Sequence, residues 1–209
     1  MKLDPQAALA EARSAATSRR VISVVGLAVL VVFAAALRGA FLGDQQLFRD
    51  EATSWYLASH SLGDMLRLGA QETFPPLYIA LLKCWMAVFG DSEAAIRSLS
   101  VVAGIATVIV TWRWARDALG ETEAWIAGIV VAFSPLLVGN SRDARMYSLE
   151  GLFATSAWWV IWLLIAHDDD WTRRRRAVAG IALVLLVAGE VWTLSLGSPT
   201  PCYSSRSPS

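Results

Sequence analysis

Two acids stand side by side, Asp50 and Glu51, in the stretch LFRDEATSWYLA of a chain that is otherwise mostly apolar. A carboxylate near a bilayer surface can be ionised and yet shielded enough to accept a proton, so the pair is a candidate general base. Much further on, SRDARMYS gathers Arg142, Asp143, Arg145 and Tyr147. Guanidinium groups suit a phosphate, because each planar fork offers two parallel charge-assisted hydrogen bonds. Between these clusters, ETFPPLY places Glu72 just before a double proline. Proline at a helix start fixes where the helix begins, and so the height at which that carboxylate is held. Each feature also has a plainer reading. The acid pair can be a solvated loop, Glu72 can complement a helix dipole, and the Arg–Asp cluster can satisfy itself.

The elements that must position these residues are apolar runs. Of 209 residues, 56% are hydrophobic and ten are tryptophan, with a mean hydropathy of +0.47. Val21–Leu37, Ser98–Trp112, Ala124–Val138, Leu149–Ala166 and Ala177–Leu196 are each about long enough to cross a hydrocarbon core of roughly 30 Å. Only helices and closed barrels satisfy their backbone polar groups in lipid, so the expected fold is all-α, a polytopic transmembrane helical bundle. The formal net charge is zero, which gives no footprint for a nucleic-acid partner. Cys84 and Cys202 are too few and too scattered for a disulfide framework or a zinc site. His60 and His167 read as solvated loop residues.

Arginine placement orients the chain. Arg19 and Arg20 directly precede the first run, which keeps the N-terminus cytoplasmic and sends the RDEATSW loop to the outer face of the cell membrane. Residues 1–20 then form a cytoplasmic leader and 21–196 a multi-pass membrane domain. The segment Pro75–Gly90 admits two topologies. Its fifteen helical residues rise only about 22 Å, and Lys83 interrupts them. If it crosses, Arg113, Arg116 and Arg173 to Arg176 lie outside. If it lies along the outer interface or dips in and returns, those arginines are cytoplasmic and SRDARMYS shares the outer face with Asp50 and Glu51. Trp55, Leu62, Met65 and Leu66 recur at helical spacing after Asp50, which predicts interfacial helices in the first outer loop, with Trp55 and Tyr56 at headgroup level. Glu190, alone in LLVAGEVWTL, is a further intramembrane carboxylate.

The ordered motifs D-E, P-P-L-Y, F-G-x-S-x-x-x-x-R, S-P and R-x-Y, from Leu47 to Leu152, resemble the N-terminal part of the GT-C membrane glycosyltransferases. The similarity is to the family 39 enzymes, related to protein O-mannosyltransferases and lipid A aminoarabinose transferases. This resemblance implies transfer of a sugar from a polyprenyl-phosphate carrier to an acceptor glycan, lipid or protein at the outer face. Under it, Asp50 matches a first-loop aspartate that activates the acceptor or contacts a divalent cation, with Glu51 beside it as the second catalytic candidate. Glu72, Tyr78 of the P-P-L-Y motif, Arg142, Asp143, Arg145 and Tyr147 become substrate-binding candidates. The arginines lie in the second outer loop, where related enzymes hold groups that engage the carrier phosphate.

Family members run to several hundred residues with ten or more spans, whereas this sequence offers about five and then changes to GSPTPCYSSRSPS. Residues 197–209 read as a disordered or aberrant tail on a truncated chain. The competing reading is therefore an inactive fragment or a non-catalytic membrane subunit. A transporter fits less well, because the charges gather at one surface and no repeat is visible.

Overall fold

The computed structural model describes residues 5–44, 46–69, 76–166 and 172–194. These are helical almost throughout: α1 (Pro5–Gly39), α2 (Arg49–Ser59), α3 (Leu62–Gly69), α4 (Pro76–Phe89), α5 (Glu93–Ala118), α6 (Glu121–Phe133), α7 (Pro135–Arg142), α8 (Tyr147–Ala166) and α9 (Arg173–Leu194). Three of them hold segments long and apolar enough to cross a membrane: Thr17–Gly39, Glu93–Ala118 and Tyr147–Ala166. Their outward faces carry Val24, Phe33, Val102 and Trp158, and α6 and α9 expose Ile126 and Val184. Such a surface is suited to lipid rather than water. The chain is an all-α membrane bundle.

Helix α5 is the axis around which α1, α4, α6, α7 and α8 pack. At one end of it, Trp112 and Ala115 bury against Ala124 of α6, Arg116 stacks 5.0 Å from the Trp112 ring, and Ser23 of α1 donates to Glu121. At the other end lie Glu51, Arg97 and the segment between α7 and α8. Helix α4 flanks only this second half. Tyr78 sits beside Ser100, and the Trp85 indole donates to Ala95 O at 3.1 Å and Ser98 Oγ at 2.9 Å. Its fourteen residues rise about 21 Å and stop short of the level of Trp112. Lys83, the charge that interrupts this apolar run, turns outward to cap α2, donating to Ala58 O at 3.1 Å and His60 O at 2.5 Å. A cation at a helix C-terminus satisfies orphan carbonyls and complements the dipole.

One element differs from the sequence reading. The run Ala124–Val138 is not one straight helix, because α6 and α7 meet at a bend of 52°. Pro135 has no N–H and clashes with the preceding turn, and Ser134 adopts an extended ψ of 119°, as a residue before proline tends to. The amphipathic stretch after Asp50 forms the two helices α2 and α3, because His60 is extended, with ψ 168°, and closes α2. Leu57, Ala58 and Met65 then bury together against Tyr78, Ile79 and Leu82 of α4. This cluster forms the floor beneath the first loop. Glu72, the 197–209 tail and the side chains of Glu190 and Leu66 lie outside the described residues.

Candidate functional site

Helix α2 presents its first turn to the loop 143–146 that links α7 to α8. Glu51 occupies the third position of α2 and reaches back to accept the Phe48 N–H at 3.0 Å, the carboxylate half of a capping box. Its other contacts are distant in sequence. Arg97 of α5 grips it bidentately, Nε to Oε1 at 2.8 Å and Nη2 to Oε2 at 2.7 Å. The Ala144 N–H donates to Oε1 at 2.8 Å across 93 residues. Both oxygens are thus occupied, and the side chain is only 2% exposed. Arg97 extends the network by donating to Leu42 O at 2.8 Å and Gln46 O at 3.2 Å. One buried ion pair therefore ties α5, the segment after α1, the start of α2 and the 143–146 loop.

Asp50 has the opposite environment. Consecutive residues on a helix point about 100° apart, so Asp50 turns outward while Glu51 turns in. Its carboxylate is 68% exposed and meets Arg145 Nη1 at 2.9 Å. Arg145 also stacks at 5.5 Å on the Tyr147 ring and donates to its hydroxyl at 3.3 Å. Phe48, Asp50, Glu51, Asp143, Arg145 and Tyr147 line one open cleft of about 320 Å³. A second cleft of about 260 Å³ adjoins it, sharing Phe48 and Asp143 and adding Arg97 and Arg142. Arg142 donates to Ala40 O at 3.0 Å, beyond the end of α1. Five of the expected site residues other than Tyr78 and Glu72 thus border these clefts together with Glu51. Tyr78 is buried and lies beneath the loop: its hydroxyl is 3.4 Å from Ser100 Oγ, which donates to Arg145 O at 3.1 Å.

The acids titrate differently. Burial alone would raise the Glu51 carboxyl, but hydrogen bonds from Arg97, from the Ala144 and Phe48 N–H groups, and the Arg97 charge outweigh it and hold the pKa below the ordinary glutamate range. Asp143 is raised, by burial first and by the Glu51 charge second, with Arg97, Arg145 and Arg142 only partly offsetting them. The signs of the linked stabilities are opposite. Glu51 contributes stability that is present above its unfolded pKa and lost as pH falls through the lower folded value. Asp143 favours its protonated form, a contribution present below its unfolded pKa and lost as pH rises through the higher folded value. Unfolding midpoints measured in micelles across the acid range should therefore drop as Glu51 protonates, and Glu51→Gln should flatten that slope. Asp143→Asn should instead remove the loss that sets in as pH rises through the carboxylate range.

Among the described residues no group of three or more His, Cys, Asp or Glu could hold a metal ion. The cations nearest Asp50 are Arg145, paired with it, and Arg97 and Arg142 in the adjoining cleft.

Arg97 was legible only as the last letter of the F-G-x-S-x-x-x-x-R motif, and an arginine in the first turns of an apolar run was the signal that could have singled it out. Ser100, which links Tyr78 to the loop, carries no such signal. The sequence profile of a family described as dolichyl-phosphate-mannose-protein mannosyltransferase matches residues 73–189, more than half of the chain. No curated protein and no solved structure matches significantly.

Proposed function

Because this chain belongs to the dolichyl-phosphate-mannose-protein mannosyltransferase family, we propose that it transfers a sugar from a polyprenyl-phosphate carrier to an acceptor hydroxyl, inverting the anomeric centre. It is a multi-pass membrane protein of a glycosyltransferase family that draws on lipid-linked sugar. The observation that carries the finer reading is the Asp50–Arg145 ion pair, 2.9 Å long, on the wall of a cleft that both loops line. A base and a phosphate-binding cation from opposite halves of the sequence meet there.

In the resting site Arg145 holds Asp50. An arriving carrier phosphate competes for the same guanidinium, and its greater charge draws Arg145 away and frees the carboxylate. The acceptor oxygen then attacks the anomeric carbon from the face opposite the phosphate. The bond from that carbon to the phosphate oxygen breaks, its electron pair leaves with the phosphate, and Asp50 takes the hydroxyl proton. Phosphate needs no strong acid to depart, only cations to hold the charge that develops on it. Arg145 supplies that charge, with Arg142 in the adjoining cleft and Asp143 between the two. Tyr147 braces Arg145 by stacking. Glu51 acts with Arg97 as the clamp that fixes the α2 turn and the loop, and Tyr78 acts through Ser100 as a positioning residue. Glu72 remains a substrate-binding candidate. The site faces outward from the cell membrane with the N-terminus cytoplasmic, a placement supported by Arg19 and Arg20, which lie in α1 directly ahead of its apolar run, and by the arginines that begin α9.

The test is incubation of the purified chain in micelles with a polyprenyl-phosphate sugar and a hydroxyl acceptor. Acceptor-dependent release of polyprenyl phosphate with a product of inverted configuration is expected. No release from correctly folded protein would instead favour a non-catalytic subunit. Arg145→Leu should raise the donor KM roughly 10- to 100-fold, the worth of one or two charged hydrogen bonds, and Arg145→Lys should recover only part of it because a point charge lacks the fork.

A further inference from the structure

Arg38, in the last turn of α1, has no exposed surface and all of its hydrogen bonds go to carbonyls and one hydroxyl. Nη2 donates to Val131 O at 3.0 Å, and Nη1 to Ala132 O at 2.9 Å and to Ala34 O at 3.4 Å. The residue that would normally satisfy Val131 O is the one four positions on, Pro135, which has no N–H to give. Ala132 O lies at the same break, where α6 and α7 part by 52°. Orphan carbonyls inside an apolar bundle are costly and need a donor from elsewhere, and the C-terminal end of α6 is also the negative end of its dipole. The Arg38 guanidinium answers both demands.

The same side chain reaches the site-bearing segment. Its Nε donates to Ser141 Oγ at 3.3 Å, Ser141 donates to Leu137 O at 2.7 Å, and Ser148 donates to Ser141 at 3.2 Å. Arg142 to Tyr147 lie between those two serines. Helix α5 leaves room for the contact with a glycine: a Cβ on Gly104 would fall 2.1 Å from Ser141 Oγ and 3.1 Å from Arg38 Nε. We propose that Arg38 and Pro135 together set the α6–α7 bend and so aim the 142–147 loop at Asp50. Arg38 is thus a positioning residue for the transfer reaction, and in that respect the inference rests on the function proposed above.

The test uses the 209-residue chain with Cys84 and Cys202 replaced by serine and a single reporter, Gly139→Cys. Gly139 is exposed, lines the cleft beside Arg142, and has no atom within 4 Å of an added Cβ. Arg38→Met should lower the unfolding midpoint in micelles, change the maleimide labelling rate at position 139 by threefold or more, and reduce kcat more than it raises the donor KM. Adding Pro135→Ala should recover the midpoint, because residue 135 can then donate to Val131 O. It should leave labelling and kcat altered, because the bend is no longer imposed. Trp112→Leu, in the core at the far end of α5, should lower the midpoint without changing labelling. Unchanged labelling and kcat in Arg38→Met, or no recovery of its midpoint by Pro135→Ala, would overturn the proposal. If Arg38→Met does not accumulate, Arg38→Lys should show the same pattern at smaller amplitude, and normal labelling and kcat in that variant would count against it. Should the parent chain turn over no lipid-linked sugar, the proposed reaction fails, while labelling and unfolding still decide this inference.

Discussion

Exchanging Glu51 for alanine is expected to cost about 3–5 kcal/mol of folding stability, because it strands the Arg97 guanidinium inside the bundle. Arg97 is 4% exposed, and two of its hydrogen bonds go to the lost carboxylate. The Ala144 and Phe48 N–H groups lose their acceptors in the same step. Two adjacent carboxylates would be interchangeable if both were solvated, so the contrast with Asp50 is diagnostic. The paired replacement Glu51→Gln with Arg97→Met should recover much of the loss, since removing both charges is far less costly than removing one. Equilibrium unfolding in micelles measures it. A loss below about 1 kcal/mol in Glu51→Ala, the range of a surface ion pair, would remove the clamp from the account.

Replacing Asp50 with asparagine is expected to reduce turnover about 10²- to 10⁴-fold, the usual contribution of a positioned base, while leaving the unfolding midpoint near that of the parent. Asparagine keeps the shape of the side chain and cannot take the proton of the acceptor. The stability expectation follows from exposure: the Asp50 carboxylate is 68% exposed, and an ion pair so open contributes little to folding. Turnover with the polyprenyl-phosphate sugar and melting of the same preparations separate the two effects. Full turnover in Asp50→Asn would take the base role from this residue and leave Asp143, the neighbouring carboxylate shared by the two clefts, as the group to test next.

Much of this was legible in the sequence because it depended on local signals. Apolar runs located the long helices, although α1 already begins at Pro5, well ahead of Val21, and Pro76 marked the start of α4. The two polar clusters stood out against their apolar background. What escaped depended on direction and depth. Asp50 and Glu51 looked alike on paper, since nothing in two consecutive letters says which faces the core; the helical twist and the position of Arg97 decide it. The break in Ala124–Val138 was hidden because hydrophobicity continues through Pro135, and the run reads as one span unless the missing N–H is counted. Lys83 read as an interruption, whereas its long stem lets the charge leave α4 and cap α2. Arg38 directly follows the first run and nothing local singles it out, because two of its partners lie 93 and 94 residues away.

The family assignment rests on residues 73–189 and so includes the second loop but not Asp50 and Glu51. The first loop joins the site through geometry. The Glu51 bond to Ala144 N and the Asp50 pair with Arg145 both cross from outside the matched segment into it. An acid pair placed by chance beside an unrelated bundle would have no reason to meet that loop at two successive residues with two different geometries, one buried and saturated, the other open to a cleft.

The affinity of polyprenyl phosphate for the parent chain and for Asp50→Asn probes this directly. If the carboxylate and the carrier phosphate compete for Arg145, the variant should bind the lipid phosphate more tightly, by about the worth of an exposed ion pair, up to roughly fivefold, while failing to turn over. Weaker or equal binding in Asp50→Asn, together with retained turnover, would contradict the claim that base and phosphate share one guanidinium.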